Sequence, residues 1–300
     1  MTNALSIDVE DYFQVSAFER CVKREDWSGF PLRVVDNTQR VLYLLNQYGV
    51  SATFFVLGWV AERCPALVKD IHNAGHEIAS HGYGHQRVST QSRQEFREDV
   101  RTSKALLEDI IGQAVLGYRA PSYSISMGSL WAFDELAEAG YLYDSSVFPV
   151  RHDFYGIPDW PRFPFIVFRG SDGNWSPAGG PADGNLSLSD NNAKILEIPI
   201  TTLNLGGKSI PIGGGGYFRF FPYSFTRWGL KRINRIDKEP FVFYLHPWEI
   251  DPDQPRMAGI GLKTRFRHYV NLGKTEQRFR NLLSDFKFST MKNLVANSFS

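Results

Sequence analysis

The sequence predicts an α/β fold, a distorted barrel of seven parallel strands with helices between them. Two observations carry that expectation. Apolar segments that read as strands recur near residues 5, 53, 77, 117, 143, 197 and 243, and helical segments separate the early ones. Asp8, His81, Arg119, Asp144 and His246 each fall at or just past the C-terminal end of a different strand. Right-handed crossovers put those ends on one side of the sheet. A barrel brings them to one mouth, whereas distant strands of an open sheet would hold them apart.

The elements follow in order. Ala4–Asp8 is an apolar strand that ends in Asp8-Val9-Glu10-Asp11. Asp36 can cap a helix carrying Val41, Leu42, Leu44 and Leu45 on one side, and Gly49 stops it. Ala52–Leu57, β-branched and aromatic, is a buried strand. Ala61–Ala74 is a helix interrupted by Pro65 and closed by Gly75, and His76–Ser80 is the next strand. Ser92–Ile111 is amphipathic, with Phe96, Val100, Leu106, Leu107, Ile110 and Ile111 inward and Gly112 as its stop. Leu116–Ala120 is a strand, Ser129–Ala139 a helix ended by Gly140, and Tyr141–Ser145 a strand. Ile195–Thr201 and Phe241–Leu245 complete the seven. Residues 150–225, rich in Gly, Pro, Asn, Asp and aromatics, break the alternation. They read as loops and short antiparallel strands inserted over the barrel mouth, within a single domain spanning 1–300. Gly213–Gly216 reads either as a close backbone approach to a ligand or as a flexible turn. A helix over about 276–296 closes the fold.

Composition narrows the function. The chain has 300 residues, 43% hydrophobic and 22% charged, with net charge +1 and no long run of one sign. A nucleic-acid partner would normally leave a basic footprint, so none is expected. Two cysteines, Cys21 and Cys64, are no disulfide framework and read as free thiols. No signal-peptide pattern and no run of eighteen apolar residues is present, so the expected location is the cytoplasm.

The chemistry gathers in five segments. His81 and His85, in Ser80-His81-Gly82-Tyr83-Gly84-His85, leave a strand end four residues apart. Two neutral imidazoles on one short turn can grip one metal ion, although paired histidines also arise in surface turns. Asp8, Glu10 and Asp11 crowd the end of the first strand, which calls for a cation or a catalytic task. Arg119 sits in Tyr118-Arg119-Ala120-Pro121-Ser122-Tyr123, Asp144 leads Asp144-Ser145-Ser146, and His246 opens His246-Pro247-Trp248-Glu249.

In this order the motifs resemble carbohydrate esterase family 4, the NodB-homology polysaccharide deacetylases, over roughly residues 4 to 250. The similarity is closest to the exopolysaccharide-locus subgroup, exosortase-associated and DUF3473-containing, through Asp-Val-Glu-Asp-Tyr-Phe and His-Pro-Trp-Glu. The chain departs from the family in its first motif, where two adjacent aspartates are usual and Asp8 is followed by Val9. Strand alternation puts Asp8 and Glu10 on one side.

The resemblance implies a distorted (β/α) barrel of that type and a metal-dependent hydrolase removing N-acetyl groups from N-acetylhexosamine units of a polysaccharide or its precursor. Asp8 would be the general base, and His81, His85 and Glu10 the ligands of a divalent metal, zinc by preference, with Asp11 a rival to Glu10. His246 would be the acid, Arg119 would orient Asp8, and Asp144 would hold His246, with Glu249 a weaker candidate for that task. Backbone amides near Tyr123 would face the oxyanion. Tyr123, Trp248, Tyr217 and Arg219 are candidates for sugar contacts, while Trp160 and Trp175 fit ordinary loop packing better. His72, His152 and His268 read as surface residues. The expected partner is a poly- or oligosaccharide, and a homo-oligomer is compatible with the sequence. An allantoinase-like hydrolase of a small amide and a non-catalytic carbohydrate-binding protein are the competing readings.

Overall fold

A computed structural model describes residues 1–152, 155–170, 173–178 and 194–298. The apolar N-terminal segment forms β1 (Thr2–Val9), buried from Asn3 onward. Asp11 then turns back to start α1 (Val34–Tyr48). Its Oδ2 accepts the Arg33 and Val34 amides at 2.7 and 2.9 Å, the orphan donors of a helix N-terminus. Asp36, the expected cap, lies inside the first turn, and Gly49 ends the helix in the left-handed conformation.

β2 (Thr53–Val56) leads to α2 (Gly58–Arg63) and α3 (Pro65–Asn73), which are split at Cys64 by Pro65. β3 (Glu77–Ser80) precedes α4 (Arg93–Ile111), which Ser92 and Glu95 open with reciprocal caps. β4 (Gly117–Tyr118), α5 (Ala132–Glu138) and β5 (Tyr143–Asp144) complete the regular half. In the second half come β6 (Phe165–Arg169), β7 (Trp175–Pro177), β8 (Lys194–Glu197), β9 (Thr202–Leu205) and β10 (Lys208–Pro211). They are followed by α6 (Gly215–Phe220), α7 (Tyr223–Arg232) and β11 (Val242–Leu245).

Seven parallel strands run in the order β11-β1-β2-β3-β4-β5-β8. They are the seven expected, and their order is that of a barrel wall. The ladder does not close between β8 and β11. A crossing segment spans that gap instead: the Tyr244 amide donates to Gly213 O at 2.8 Å, the Val242 amide to Thr201 Oγ1 at 2.7 Å, and the Ile200 amide to Val147 O at 3.0 Å. Gly214 makes this crossing possible. It sits at φ 135, and a Cβ there would lie 2.0 Å from Tyr244 O. The Gly213–Gly216 run therefore packs backbone against backbone.

The 150–225 stretch differs in part from an insertion over the mouth. Its strand β6 adds antiparallel to β8, and β7 antiparallel to β6, extending the wall, while β9 and β10 form a separate hairpin. Residues 179–193 lie outside the described residues. The single closing helix expected at 276–296 is also corrected. It is α9 (Leu272–Asp285) and α10 (Met291–Ser298), separated by β12 (Lys287–Ser289). Phe286 and Phe288 alternate with polar residues there and pack on Phe241, and β12 pairs with the start of β1. Among the described residues no helix is long and apolar enough to cross a membrane.

Two apolar layers result. One lies between the wall and the helices; the other fills the barrel with Ala4, Phe55, Ala79, Tyr143, Leu196, Val242 and Tyr244. With a side-chain period of two, the inner positions of β1 are 4, 6 and 8, those of β3 are 77, 79 and 81, and those of β11 are 242, 244 and 246. Asp8, His81 and His246 thus cap the filled interior.

Gly214→Ala is expected to lower stability by at least ~2 kcal/mol, through strain at its φ and the clash with Tyr244. Urea unfolding of the variant checks this, and an unchanged midpoint would remove the crossing segment as a structural closure.

Candidate active site

Arg119 has no exposed surface. Its Nη1 donates to Asp8 Oδ1 at 2.6 Å and Ser6 Oγ at 2.8 Å, and its Nε and Nη2 reach Ser145 O and Oγ. Its guanidinium lies 4.1 Å from the Phe55 ring centre. Its backbone carbonyl meets His81 Nδ1 at 2.8 Å. That contact assigns the proton to Nδ1 and leaves Nε2 with its lone pair directed elsewhere.

Glu10, His81 and His85 converge, each offering one ligand atom, with these atoms within 4.8 Å of one another. All three are buried. Glu10 Oε2 approaches His85 Nε2 at 2.7 Å, yet that oxygen has no hydrogen-bond partner, and neither has His85 Nδ1. Buried polar atoms normally find partners. A buried carboxylate and two imidazoles brought together in this way are a donor set suited to a divalent cation. Burial pushes the His81 pKa down to about 4, so its ring is neutral, as a ligand must be. Burial alone would raise the Glu10 carboxyl; the charges of His85 and His246 outweigh it and hold it well below the usual range.

The turn that carries the histidines is held from α4. Asp99 accepts the Tyr83 amide at 3.0 and 3.1 Å and the Gly84 amide at 3.4 Å. Gly82, at φ 70, leaves room for it, since a Cβ there would lie 2.7 Å from Asp99 Oδ1. Sequence reasoning missed Asp99; its signal was an acid set beside the Phe96, Val100 and Ser103 stripe.

Asp11 stands outside this donor set. Both its oxygens are spent on backbone amides, Oδ1 on Tyr12 at 2.8 Å and Oδ2 on the α1 terminus. Asp144 does not hold His246 either. Tyr143 points into the barrel, so Asp144 points out, where it faces Glu197 across the β5–β8 pairing and binds the Ser146 side chain and amide. The residue on His246 is Glu249. The 3-10 turn Pro247–Ile250 swings it back so that Oε1 contacts both His246 Nδ1 and the His246 amide. Its Oε2 accepts Arg219 Nε at 2.7 Å. Burial would depress the His246 pKa, but Glu10, Glu249 and Asp8 raise it to about 9. His246 Nε2 stands 3.8 Å from Asp8 Oδ2 and 3.6 Å from Glu10 Oε1.

The expected sugar contacts are largely reassigned. Trp248 is 4% exposed, and its indole N–H donates to Glu10 Oε1 at 3.1 Å. Arg219 is buried behind Glu249. Trp160 and Trp175 pack on Phe133. Tyr217 is half-buried and Tyr123 lies with its hydroxyl 3.4 Å from Asp8 Oδ2. The Tyr123 amide is taken by Ala120 O at 3.0 Å in a turn with Ser122 and Tyr123 both at positive φ, which leaves no free amide at Tyr123 for an oxyanion. His268, expected at the surface, is buried against Trp248 with ring centres 4.4 Å apart and Nε2 2.7 Å from Gln254 Oε1.

Residues 27–141 match the polysaccharide deacetylase family, and residues 178–296 match a domain of unknown function, DUF3473. A peptidoglycan-N-acetylglucosamine deacetylase of Bacillus cereus is 35% identical over 99 residues, 33% of this chain and 36% of its own length. A chitooligosaccharide deacetylase of Bradyrhizobium is 32% identical over 100 residues, 33% of this chain and 43% of its own. The chain thus spans well under two thirds of the length of these relatives. The crystal structure of a putative polysaccharide deacetylase from Mycobacterium smegmatis shares the fold, with TM-score 0.58 and 18% identity over 98% of this chain and 88% of that one. The histidine turn and Arg119 stand inside the first match, and His246 with Glu249 inside the second. The chain carries a polysaccharide deacetylase domain over residues 27–141, followed by DUF3473 over residues 178–296.

Proposed function

We propose that the chain removes N-acetyl groups from N-acetylhexosamine units of a polysaccharide or its precursor, with a divalent metal, zinc by its donor set, on Glu10, His81 and His85. The observation that carries this reading is a carboxylate, Asp8, and an imidazole, His246, on the same rim as those three residues. A bound divalent cation would lower the pKa of a water from 15.7 towards about 7 and polarise an amide carbonyl.

The chain's own groups do the proton work. Asp8 Oδ1 is occupied by Arg119, so Oδ2 faces the site and accepts the proton of the attacking water. The water oxygen bonds to the acetamide carbon, and the carbon–nitrogen bond then breaks. His246 Nε2 gives its proton to the departing nitrogen, which leaves as the free amine beside acetate. Glu249, itself held by Arg219, keeps Nδ1 of that ring protonated and Nε2 aimed inward. The raised His246 pKa suits an acid. Trp248 fixes Glu10 from behind, so that its second oxygen stays towards the histidines.

The direct experiment is acetate release from chitooligosaccharides and peptidoglycan fragments by metal-loaded protein. Asp8→Asn should lower turnover on the order of a thousandfold while metal remains bound; undiminished turnover would refute Asp8 as the base. Two carboxylates separate ligand from cap. Glu10→Gln should abolish stoichiometric metal binding at near-wild-type stability. Asp11→Ala should retain the metal and lose roughly 1 kcal/mol or more of unfolding free energy. The reverse pattern would hand the ligand role to Asp11. Glu249→Gln should reduce kcat at least tenfold with little change in KM, by releasing the His246 ring; a pure KM effect would place Glu249 in substrate binding.

A further inference from the structure

We propose that the outer face of α8 (Leu262–Tyr269) docks the protein on an anionic lipid surface, with Leu262 and Phe266 as apolar anchors and Lys263, Arg265 and Arg267 as cations. Leu262 is 85% exposed and Phe266 58%. They stand four residues apart and so share one side of the helix. Phe220, 58% exposed, ends α6, which Arg219 ties to α8 by donating to the Arg267 and His268 carbonyls. A lone exposed apolar side chain needs no explanation; two on one side of a helix that buries His268 on the opposite side do.

The charge pattern is local. From Gln254 to Thr275 the chain carries five basic residues and no acidic one, although its net charge is only +1. The ion pairs nearby, Arg219–Glu249 and Arg280–Glu276, leave Lys263, Arg265 and Arg267 without a carboxylate partner among the described residues. All three are exposed. Apolar anchors interleaved with unpaired cations on a short helix are the pattern of an interfacial helix.

Placement adds to this. On its inner side α8 buries His268 against Trp248, which stacks on His246 at 5.2 Å. The charge of Arg267 acts on the Tyr155 phenol, and Tyr155 packs 6.4 Å from Tyr123. The face is therefore on the rim of the barrel mouth. A second copy of the chain fits poorly, because a self-complementary contact would oppose the same cations. A soluble anionic glycan would use the cations but leave Leu262 without a partner.

The test is sedimentation of the full chain with vesicles of equal phosphatidylglycerol and phosphatidylcholine, against vesicles of phosphatidylcholine alone. Binding should favour the anionic vesicles and weaken with salt. Lys263→Gln, Arg265→Gln and Arg267→Gln together should weaken it on the order of a hundredfold, about fivefold per cation. Leu262→Ser with Phe266→Ser should also weaken it, with unfolding midpoint and hydrolysis of a soluble substrate unchanged. Equal binding to both vesicle types, or undiminished binding by both variants, would overturn the proposal. So would a dimer that Leu262→Ser dissociates, or binding confined to a soluble acidic polysaccharide and indifferent to Leu262→Ser.

Discussion

The ion pair between Asp8 and Arg119, 2.6 Å long and sealed from water, is the constraint from which the site follows. Taking both charges out of solvent costs several kcal/mol per ion, and their attraction offsets this only when the remaining donors are satisfied. Arg119 meets that condition through Ser6 on β1 and Ser145 beyond β5. Because the same residue receives His81 through its carbonyl, one side chain and one peptide group tie four strands into a single geometry. Asp8 and His81 are thereby fixed relative to each other before any substrate arrives. Loss of either partner would strand a buried charge, a cost of about 3–5 kcal/mol, so this pair couples stability to chemistry.

Side-chain parity then decides which strand-end residues belong to the site. Ser6 and Asp8 on β1, Ala79 and His81 on β3, and Tyr244 and His246 on β11 are pairs two apart on the inner face. Asp144 sits one residue after the inward Tyr143 and is turned out, into a pairing with Glu197. Two buried carboxylates so close cannot both be ionised, and burial with the Asp144 charge raises Glu197 well above the carboxylate range. Asp144 supports the strand end through Ser146, whose hydroxyl accepts the Ala120 amide at 2.7 Å.

The seven strands were legible because each is an apolar run with a punctuating glycine or proline nearby. Asp8, His81, Arg119 and His246 stood out because they end such runs, and the structure brings them together at one rim. The support layer was not. Asp99 acts from mid-helix, Arg219 through a buried contact 30 residues away in sequence, and Trp248 through an indole N–H that no pattern announces. Asp11 and Asp144 misled for the opposite reason: strand-end carboxylates are also ideal acceptors for backbone amides. Asp11 does its work on α1, twenty-two residues on, and only tertiary structure reveals that target. The aromatic candidates misled because size suggests stacking, while burial made them walls.

The same arrangement bears on the region matched as DUF3473. β8 and β11 are strands of the one sheet, not of an appended unit. From residues 178–296 come His246, the Glu249 and Arg219 that hold it, and the Trp248 that steadies Glu10. From 27–141 come His81, His85 and Arg119, while Asp8 and Glu10 precede both. A polypeptide cut between the two matches would retain histidines with no acid opposite them and a β1 strand with one edge bare of β11. His246 with its supports and the second edge of the barrel are therefore the same piece of chain. Substitutions that loosen α8 would act on His246 through His268 and Trp248, and those that loosen the Gly214 crossing through Tyr244, whose ring meets His246 on its other side.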